Sequence, residues 1–131
     1  MTRLSYVDAS ALVKLVILEP GSEAMLRWYI ESERVVTSRV GLVETGRAAR
    51  RRDHDAIRLG RVLGSIEIIE CDATIGERAA ALPPATVRTL DAIHVASALE
   101  LGSALDAFVT YDERLADAAR MAGLPVVTPA G

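Results

Sequence analysis

Apolar and polar positions divide the chain into short strands that alternate with helices. Apolar runs of three to five residues predict the strands, and apolar residues that recur every three or four positions predict helices with one buried face. The predicted strands are residues 4–7, 35–37, 66–70, 107–110 and 125–128. The predicted helices are residues 9–18, 23–32, 39–52, a segment that begins at Asp53, and residues 73–82, 89–102 and 113–122.

Local signals set the ends of these helices. Ser22, Ser38 and Thr89 are predicted N-caps, because a hydroxyl oxygen accepts hydrogen bonds from the free N–H groups of a first turn. Proline and glycine end helices, and they occur at Pro20-Gly21, Pro83-Pro84, Gly102 and Gly123.

Strands that alternate with helices predict a parallel sheet, since each parallel connection needs a crossover and a helix supplies it. The length of 131 residues and mass of 14.0 kDa fit one domain. We therefore predict an α/β fold in a single domain, residues 1–131, with a central parallel sheet of about five strands flanked by helices. Ligands of such sheets bind beyond the carboxyl ends of the strands.

The composition predicts a cytoplasmic protein without a membrane anchor. Cys71 is the only cysteine, so no intrachain disulfide can form, and we expect it to be a small core residue at a strand end. The N-terminal residues lack the zones of a signal peptide. The longest apolar run is interrupted by Lys14 and ends at Glu19, far short of the roughly 20 residues that span a bilayer.

Four acidic residues lie in or beside apolar runs: Asp8, Glu44, Asp91 and Asp112. An ionised carboxylate removed from water without a partner costs several kcal/mol. The nearest Lys and Arg residues in sequence do not obviously pair with all four, whereas one bound divalent cation would compensate several at once. Asp8 and Asp112 follow predicted strands and the other two lie on adjoining helices, so we predict that all four converge.

Carboxylate oxygens are hard ligands that select Mg²⁺ or Mn²⁺, and such ions activate water for phosphodiester hydrolysis. The net charge of −3 argues against a general nucleic-acid binder, although one or two bound ions would change it to −1 or +1. Six arginines against two aspartates between Arg47 and Arg61 give a local charge of +4, which predicts one basic surface.

Each of these side chains also has a purely structural interpretation. Asp8 is a possible N-cap, Asp91 suits the positive end of its helix, and Asp112 suits a turn. Glu44 lies mid-helix, where a solvent-facing or arginine-paired role is the alternative. The remaining polar and aromatic candidates are expected in structural roles: Asp117 solvated, His94 a hydrogen-bonded packing residue rather than a ligand, and Trp28 and Tyr29 in the core or an interface rather than stacking on RNA.

Four segments in this order resemble the PIN-domain ribonucleases, specifically the VapC toxins of bacterial toxin–antitoxin pairs. They are YVDASALVKL, the stretch from Ser38 to Glu44, LDAIHVASAL and TYDERLADAARMAGLPVV, and together they span the whole chain. The resemblance implies that Asp8, Glu44, Asp91 and Asp112 form the catalytic metal site. Ser10 and Thr110 match small hydroxyl positions near that site.

The resemblance further implies a Mg²⁺-dependent endoribonuclease, with Mn²⁺ as a substitute, that hydrolyses RNA to 5′-phosphate ends. The implied substrate is tRNA or another structured RNA. The implied partners are a second copy of the chain in a homodimer and a VapB-like antitoxin, which would lay an apolar helix against the early helices and send a basic side chain toward the acids.

Two alternatives stay open. One is a catalytically silent PIN-like module that binds RNA or a partner, although the presence of all four acids argues against it. The other is a non-nucleolytic α/β phosphohydrolase or phospho-acceptor domain. Against that domain, Asp8 is followed by Ala9 and Ser10 and lacks a second aspartate two residues on.

Overall fold

The predicted strands form one parallel sheet. The computed structural model describes residues 3–131, and the strand order is β3-β2-β1-β4-β5 with every neighbouring pair parallel. The strands are β1 (Leu4–Val7), β2 (Arg34–Ser38), β3 (Glu67–Ile69), β4 (Leu105–Val109) and β5 (Val126–Val127). The predicted α/β fold is confirmed. Each connection between neighbouring strands contains a helix, and such a crossover returns the chain in the direction that a parallel strand requires.

Seven helices connect and cover these strands in the described chain. They are α1 (Ala9–Val16), α2 (Ser22–Glu31), α3 (Arg39–Arg50), α4 (Ala56–Gly64), α5 (Ala73–Ala81), α6 (Thr89–Leu99) and α7 (Glu113–Met121), with a short 3-10 helix at Gly102–Ala104. None of the helices within residues 3–131 is both long and apolar enough to cross a membrane.

The alternation of side chains along β1 divides the core into two layers. Val7 faces a cluster that Leu12 of α1 and Met25 of α2 complete. Tyr6 points to the opposite face, where it packs with Val95 of α6 and Phe108 of β4. Successive residues of a strand point to opposite faces, so a fully buried strand needs apolar residues at both. The central strand is therefore covered on both sides.

Two of the predicted N-caps are wrong. The hydroxyl of Ser22 does not cap α2; it donates to the carbonyl of Ile17, and the N-cap is Gly21, whose φ of 92° is in the left-handed region. Arg88, not Thr89, occupies the N-cap position of α6. A local hydrogen bond of Ser22 and a glycine turn thus replace one predicted cap, and α6 begins without a side-chain cap.

The fourth helix begins later than predicted, and α6 ends earlier. Asp55, rather than Asp53, caps α4 by accepting from the N–H groups of Ile57 and Arg58. Helix α6 ends at Leu99, before the 3-10 helix that contains Gly102. Cys71 is exposed and not in the core, because it follows the edge strand β3.

The first turn of α3 approaches β2 closely through Gly41. Ser38 caps this helix as predicted, accepting from the N–H of Gly41 at 3.0 Å. A Cβ atom at Gly41 would lie 2.0 Å from Oγ1 of Thr37 and 3.4 Å from Cε1 of His94. Glycine here lets α3 pack against both β2 and α6, which brings the helix that carries Glu44 to the sheet.

We expect Gly41→Ala to destabilise the protein by about 1–3 kcal/mol, the usual cost of forcing an extra carbon into a packed core. Gly60→Ala is the control, since its Cβ would meet nothing within 4 Å on α4, and alanine there should stabilise by up to about 1 kcal/mol. Urea unfolding of the two variants measures both. Equal stability of Gly41→Ala and wild type would contradict the close packing.

Candidate metal centre

The carboxyl ends of β1 and β4 meet at the point where the sheet changes direction. From β1 the chain builds β2 and β3 on one side, whereas β4 and β5 lie on the other, so β1 and β4 flank the topological switch point. Val7 pairs with Val109, and the N–H of Asp8 donates to the carbonyl of Val109 at 3.1 Å. Asp8 and Thr110 therefore leave the sheet side by side.

The Asp8 carboxylate is buried among neutral hydrogen-bond donors. It is 3% exposed, and it accepts from the hydroxyls of Ser10 at 2.7 Å and Thr110 at 2.7 Å and from the N–H of Ala11 at 3.1 Å. Burial raises the pKa of Asp8, and the two hydroxyls oppose that shift. Asp8 caps α1 as its structural interpretation predicts, yet its negative charge meets no Lys or Arg side chain within residues 3–131.

Glu44 is held by a buried relay that starts on β1. Nε2 of His94 lies 2.6 Å from Oε1 of Glu44, and Nδ1 lies 2.6 Å from the hydroxyl of Tyr6. A carboxylate only accepts hydrogen bonds, so Nε2 carries the proton; Nδ1 of a neutral ring then accepts from Tyr6. Burial raises the pKa of Tyr6, which keeps the phenol protonated and able to donate.

The relay makes His94 the hydrogen-bonded packing residue that the sequence predicted. Its side chain is 2% exposed, and it contacts the edge of the Tyr6 ring, which in turn stacks on Phe108 with ring centroids 5.2 Å apart. His94 is also close enough that its charge, when protonated, would lower the pKa of Asp8. Glu44 therefore pairs with His94 and not with an arginine, the partner that its structural interpretation allowed.

Asp91 and Asp112 share one arginine. Nε of Arg88 lies 3.1 Å from Oδ2 of Asp91, and its Nη2 lies 3.6 Å from Oδ2 of Asp112. Asp91 is in the first turn of α6 and its side chain is only 10% exposed. Asp112 caps α7, accepting from the N–H groups of Arg114 and Leu115, so its structural interpretation holds as well.

Hydrogen bonds connect Asp8 to the end of β4, where Asp112 begins its helix. The N–H of Tyr111 donates to Ser10, and the N–H of Asp112 donates to Thr110, at 2.8 and 3.0 Å. Within residues 3–131, however, no three Asp, Glu, His or Cys side chains lie close enough together to hold one ion as they are placed. Convergence of all four acids on one ion thus stays a prediction.

The donor set nevertheless suits a hard cation. The side chains around Asp8 offer carboxylate and hydroxyl oxygens, the ligands that Mg²⁺ and Mn²⁺ prefer. Asp8 in particular is a desolvated carboxylate without a cationic neighbour, which is the situation that a bound ion would relieve. Asp117 fits this site least, because it is exposed and pairs with Arg120.

Sequence reasoning missed Arg88 and Tyr6. Arg88 stands three residues before Asp91, a spacing at which helical side chains meet, so a charge-pair search would have found it. Tyr6 gives no such signal, because its contact with His94 joins residues 88 positions apart. Trp28 and Tyr29 pack against the core cluster around α1, in agreement with their structural interpretation.

The predicted basic surface is divided. Arg58 donates to the carbonyl of Leu15, and Arg52 pairs with Glu19, so these two serve the fold. Arg47 and Arg51 instead join Arg39 along a groove of about 570 Å³. A helix turns 100° per residue, and α3 and α4 are separate helices, so arginines that are close in sequence point in different directions.

That groove adjoins the acidic site. Ser10 and Glu44 line it together with the three arginines, and the rest of the lining is aliphatic: Ala9, Val13, Val40, Val43, Ala48 and Leu90. We call it the α1–α3 groove. Glu44 is itself part of the lining and Ser10 hydrogen-bonds to Asp8, so a polymer or peptide in the groove would contact Glu44 and lie next to Asp8.

Known proteins share this sequence and fold. A family model described as PIN domain matches residues 5–121. Ribonuclease VapC35 of Mycobacterium tuberculosis is 41% identical over 129 residues, which cover 95% of this chain and 96% of that protein. The crystal structure of VapC20 of the same organism, a Sarcin-Ricin loop cleaving toxin, matches with a TM-score of 0.74 and 18% identity, covering 95% of this chain and 99% of that one.

VapBC2 from Rickettsia felis, solved bound to a DNA fragment from their promoter, matches with a TM-score of 0.72 and 14% identity over 97% of this chain and 99% of that one. The chain belongs to the PIN-domain family and, within that family, to the VapC ribonucleases. The predicted fold, family and ribonuclease class are confirmed.

We expect Asp8→Asn to raise the unfolding temperature in EDTA by roughly 2–5 °C, because the substitution removes a buried carboxylate that costs stability when no cation is bound. Burial raises the pKa of Asp8, so ionisation destabilises the fold as the pH rises through that pKa. Asparagine is neutral at every pH and can keep the cap at Ala11.

The same variant should lose the stabilisation that Mn²⁺ gives to the wild type. Thermal unfolding at pH 7 in EDTA and in Mn²⁺ measures both effects, with Asp117→Asn as the control that changes neither. An Asp8→Asn variant that unfolds at a lower temperature than wild type in EDTA would contradict the idea that this carboxylate is strained.

Proposed function

We propose that the protein is a Mg²⁺- or Mn²⁺-dependent endoribonuclease and the toxin of a toxin–antitoxin pair. One observation carries the proposal: the buried Asp8 carboxylate, surrounded by neutral donors only, at the switch point of a VapC-type sheet. The capping bond to Ala11 uses one oxygen of Asp8 and does not by itself explain why the whole carboxylate is buried away from any Lys or Arg of residues 3–131. An unpaired carboxylate in this position is best explained as a ligand.

Asp8, Glu44, Asp91 and Asp112 would hold the ion. Ser10 and Thr110 fix the orientation of Asp8, and His94 fixes one oxygen of Glu44. The side chains of Glu44 and Asp112 are 34% and 38% exposed, and each has one oxygen that accepts no hydrogen bond within residues 3–131, Oε2 of Glu44 and Oδ2 of Asp112, so these two oxygens would complete the set. A bound divalent ion would lower the pKa of a water and neutralise charge on the phosphodiester.

In the proposed reaction a water oxygen forms a new bond to phosphorus while the bond from phosphorus to the ribose 3′ oxygen breaks. The water gives up a proton, and the departing 3′ oxygen takes one. The products are a 5′-phosphate and a 3′-hydroxyl. Oε1 of Glu44 is bound by His94, whereas its Oε2 accepts no hydrogen bond within residues 3–131 and is available to an ion or a water.

The proposed substrate is a structured RNA such as tRNA, cut in an exposed loop, where unpaired bases are accessible. The name of VapC20, a Sarcin-Ricin loop cleaving toxin of the same fold, supports a structured target. RNA and a protein partner that binds promoter DNA would both be met in the cytoplasm, where we place the protein. We also propose a homodimer, by resemblance to the family.

Expression of the wild type without an antitoxin should create discrete new RNA 5′ ends that carry a monophosphate. Asp91→Asn should reduce their abundance by at least about 100-fold, the scale on which disturbed metal ligation lowers activity. Sequencing of RNA 5′ ends, with and without selection for monophosphates, provides the measurement and names the target. Glu77→Gln, at an exposed position on α5, is the matched control and should cut like wild type.

Three other results would count against the proposal. Ends that carry a 5′-hydroxyl would indicate attack by the ribose 2′-OH instead of water. Identical maps from folded wild type and Asp91→Asn would favour the catalytically silent binding module. A protein that forms a phospho-aspartate with acetyl phosphate would favour the phospho-acceptor alternative.

We propose that the antitoxin lays an apolar helix in the α1–α3 groove. The aliphatic lining suits one face of an amphipathic helix, as in other helix-in-groove complexes. Glu44 and Ser10 lie in the same groove, so a basic side chain on that helix would reach the acidic site. The similarity in fold to VapBC2, a two-protein assembly on DNA, supports a partner of this kind.

Val43→Glu should weaken antitoxin binding by roughly 100-fold, because a carboxylate buried against aliphatic side chains is costly. Val43 is about half exposed in the protein alone, so the variant should fold. Co-expression survival and calorimetry with the cognate antitoxin measure the loss. Met121→Glu, at an exposed position on α7, is the control and should keep the partner bound.

Unchanged antitoxin affinity of Val43→Glu would overturn the docking proposal. A change of the protein from dimer to monomer would instead assign the groove to the homodimer interface.

A further inference from the structure

We propose that Arg88 is an internal counter-ion that a divalent cation displaces and that then binds a phosphate of the RNA. This inference rests on the proposed metal-dependent nuclease. Arg88 is the only Lys or Arg within residues 3–131 that pairs with Asp91 or Asp112, and it contacts both. It contacts Oδ2 of each, so an ion that took those two oxygens would compete directly with the guanidinium.

The geometry makes the arginine the mobile member of this trio. Its backbone is extended at the N-cap position of α6, just outside the helix, and its side chain is 53% exposed. Asp91 is inside the first helical turn and nearly buried, and Asp112 is bound by two N–H groups of α7. A long side chain with several rotatable bonds can leave at low cost, whereas the carboxylates stay.

Charge explains why the arginine would move and where it would go. Two carboxylates and one guanidinium leave the trio with one net negative charge, which attracts a divalent ion. With that ion bound to the carboxylates, their pair is neutral and no longer holds the guanidinium. The nearest strong anion would then be the RNA backbone, and the planar fork of arginine matches phosphate oxygens.

The surface outside Asp112 has room for that phosphate. A depression there is lined by Arg88, Asp112, Glu113, Arg114 and Asp117. Two arginines in this depression would bind a phosphate once Asp112 is neutralised. Before that, its three acids outnumber the arginines and would repel the RNA. The exchange would therefore make RNA binding depend on prior binding of the ion.

The first test is Mn²⁺ titration of the purified protein without RNA, by calorimetry and by the resonance signal of free Mn²⁺. Arg88→Gln should bind Mn²⁺ about three- to tenfold more tightly than wild type, the scale of a partly exposed ion pair. Arg88→Lys keeps a positive charge but loses the planar guanidinium, and its affinity for Mn²⁺ should lie between those of wild type and Arg88→Gln. Arg78→Gln is the control, because Arg78 is on α5 and pairs with Glu100 at the C-terminal end of α6, away from the two aspartates.

The second test is cleavage of a short fluorescent RNA at saturating Mn²⁺. There Arg88→Gln should lower kcat/KM about tenfold or more, because the phosphate contact is lost, and Arg88→Lys should restore part of it. Tighter ion binding together with slower cleavage is a signature that a merely structural residue would not give, since damage to the fold lowers both.

Weaker or unchanged Mn²⁺ affinity of a folded Arg88→Gln would overturn the competition. Tighter Mn²⁺ binding with unchanged kcat/KM would overturn the transfer of Arg88 to the substrate. A wild-type protein that binds no Mn²⁺ would instead contradict the proposed metal site itself, and with it this inference.

Discussion

The burial of the Asp8 carboxylate at the end of β1 is the constraint on which the rest of the site depends. Parallel pairing of β1 with β4 places this residue where the sheet changes direction, and the helix that follows covers it. Water cannot solvate the charge there, and only hydroxyl and N–H dipoles face it. Such a carboxylate costs stability in the folded protein unless a cation joins it.

The other acids are compensated in different ways, and the differences indicate different roles. Glu44 is oriented by a hydrogen bond with His94, which fixes the direction of one carboxylate oxygen. Asp91 and Asp112 are neutralised in part by an arginine. Among these four acids, Asp8 is the one that is buried with neither a histidine nor an arginine partner at hydrogen-bonding or ion-pairing distance within residues 3–131. Under the proposed function it would be the ligand that draws the ion in, while the others close around it.

Local patterns in the sequence were sufficient for most of the fold. The bounds of β1, the Ser38 cap and the order of strands and helices follow from apolar periodicity and from residues that are neighbours in the chain. The predicted caps at Ser22 and Thr89 were wrong because the Ser22 hydroxyl bonds to the carbonyl of Ile17 instead and because α6 already begins at Thr89, after Arg88. Residue type alone does not decide which of several nearby partners a hydroxyl will bind.

For the candidate site, the sequence yields only a set of residues, and their joint role as metal ligands stays a prediction. Cost of burial singled out the four acids, and chain order placed two of them at strand ends, but distances depend on rotamers and on partners that are remote in sequence. His94 shows this: the sequence predicts a packing histidine, whereas its contact with Tyr6 requires β1 and α6 to meet. The directions in which the arginines of α3 and α4 point likewise depend on how the two helices are oriented, which cannot be read from composition.

Arg88 also bears on how a partner could silence the site. Its contacts establish that a guanidinium fits between Asp91 and Asp112 within hydrogen-bonding or ion-pairing distance of both. Under the proposed docking, a basic side chain that an antitoxin supplies from the α1–α3 groove would meet Glu44 and would compete with the divalent ion for its oxygens. Inhibition and metal binding would then oppose each other for an electrostatic reason, since the same carboxylate oxygens can pair with either cation but not with both at full strength.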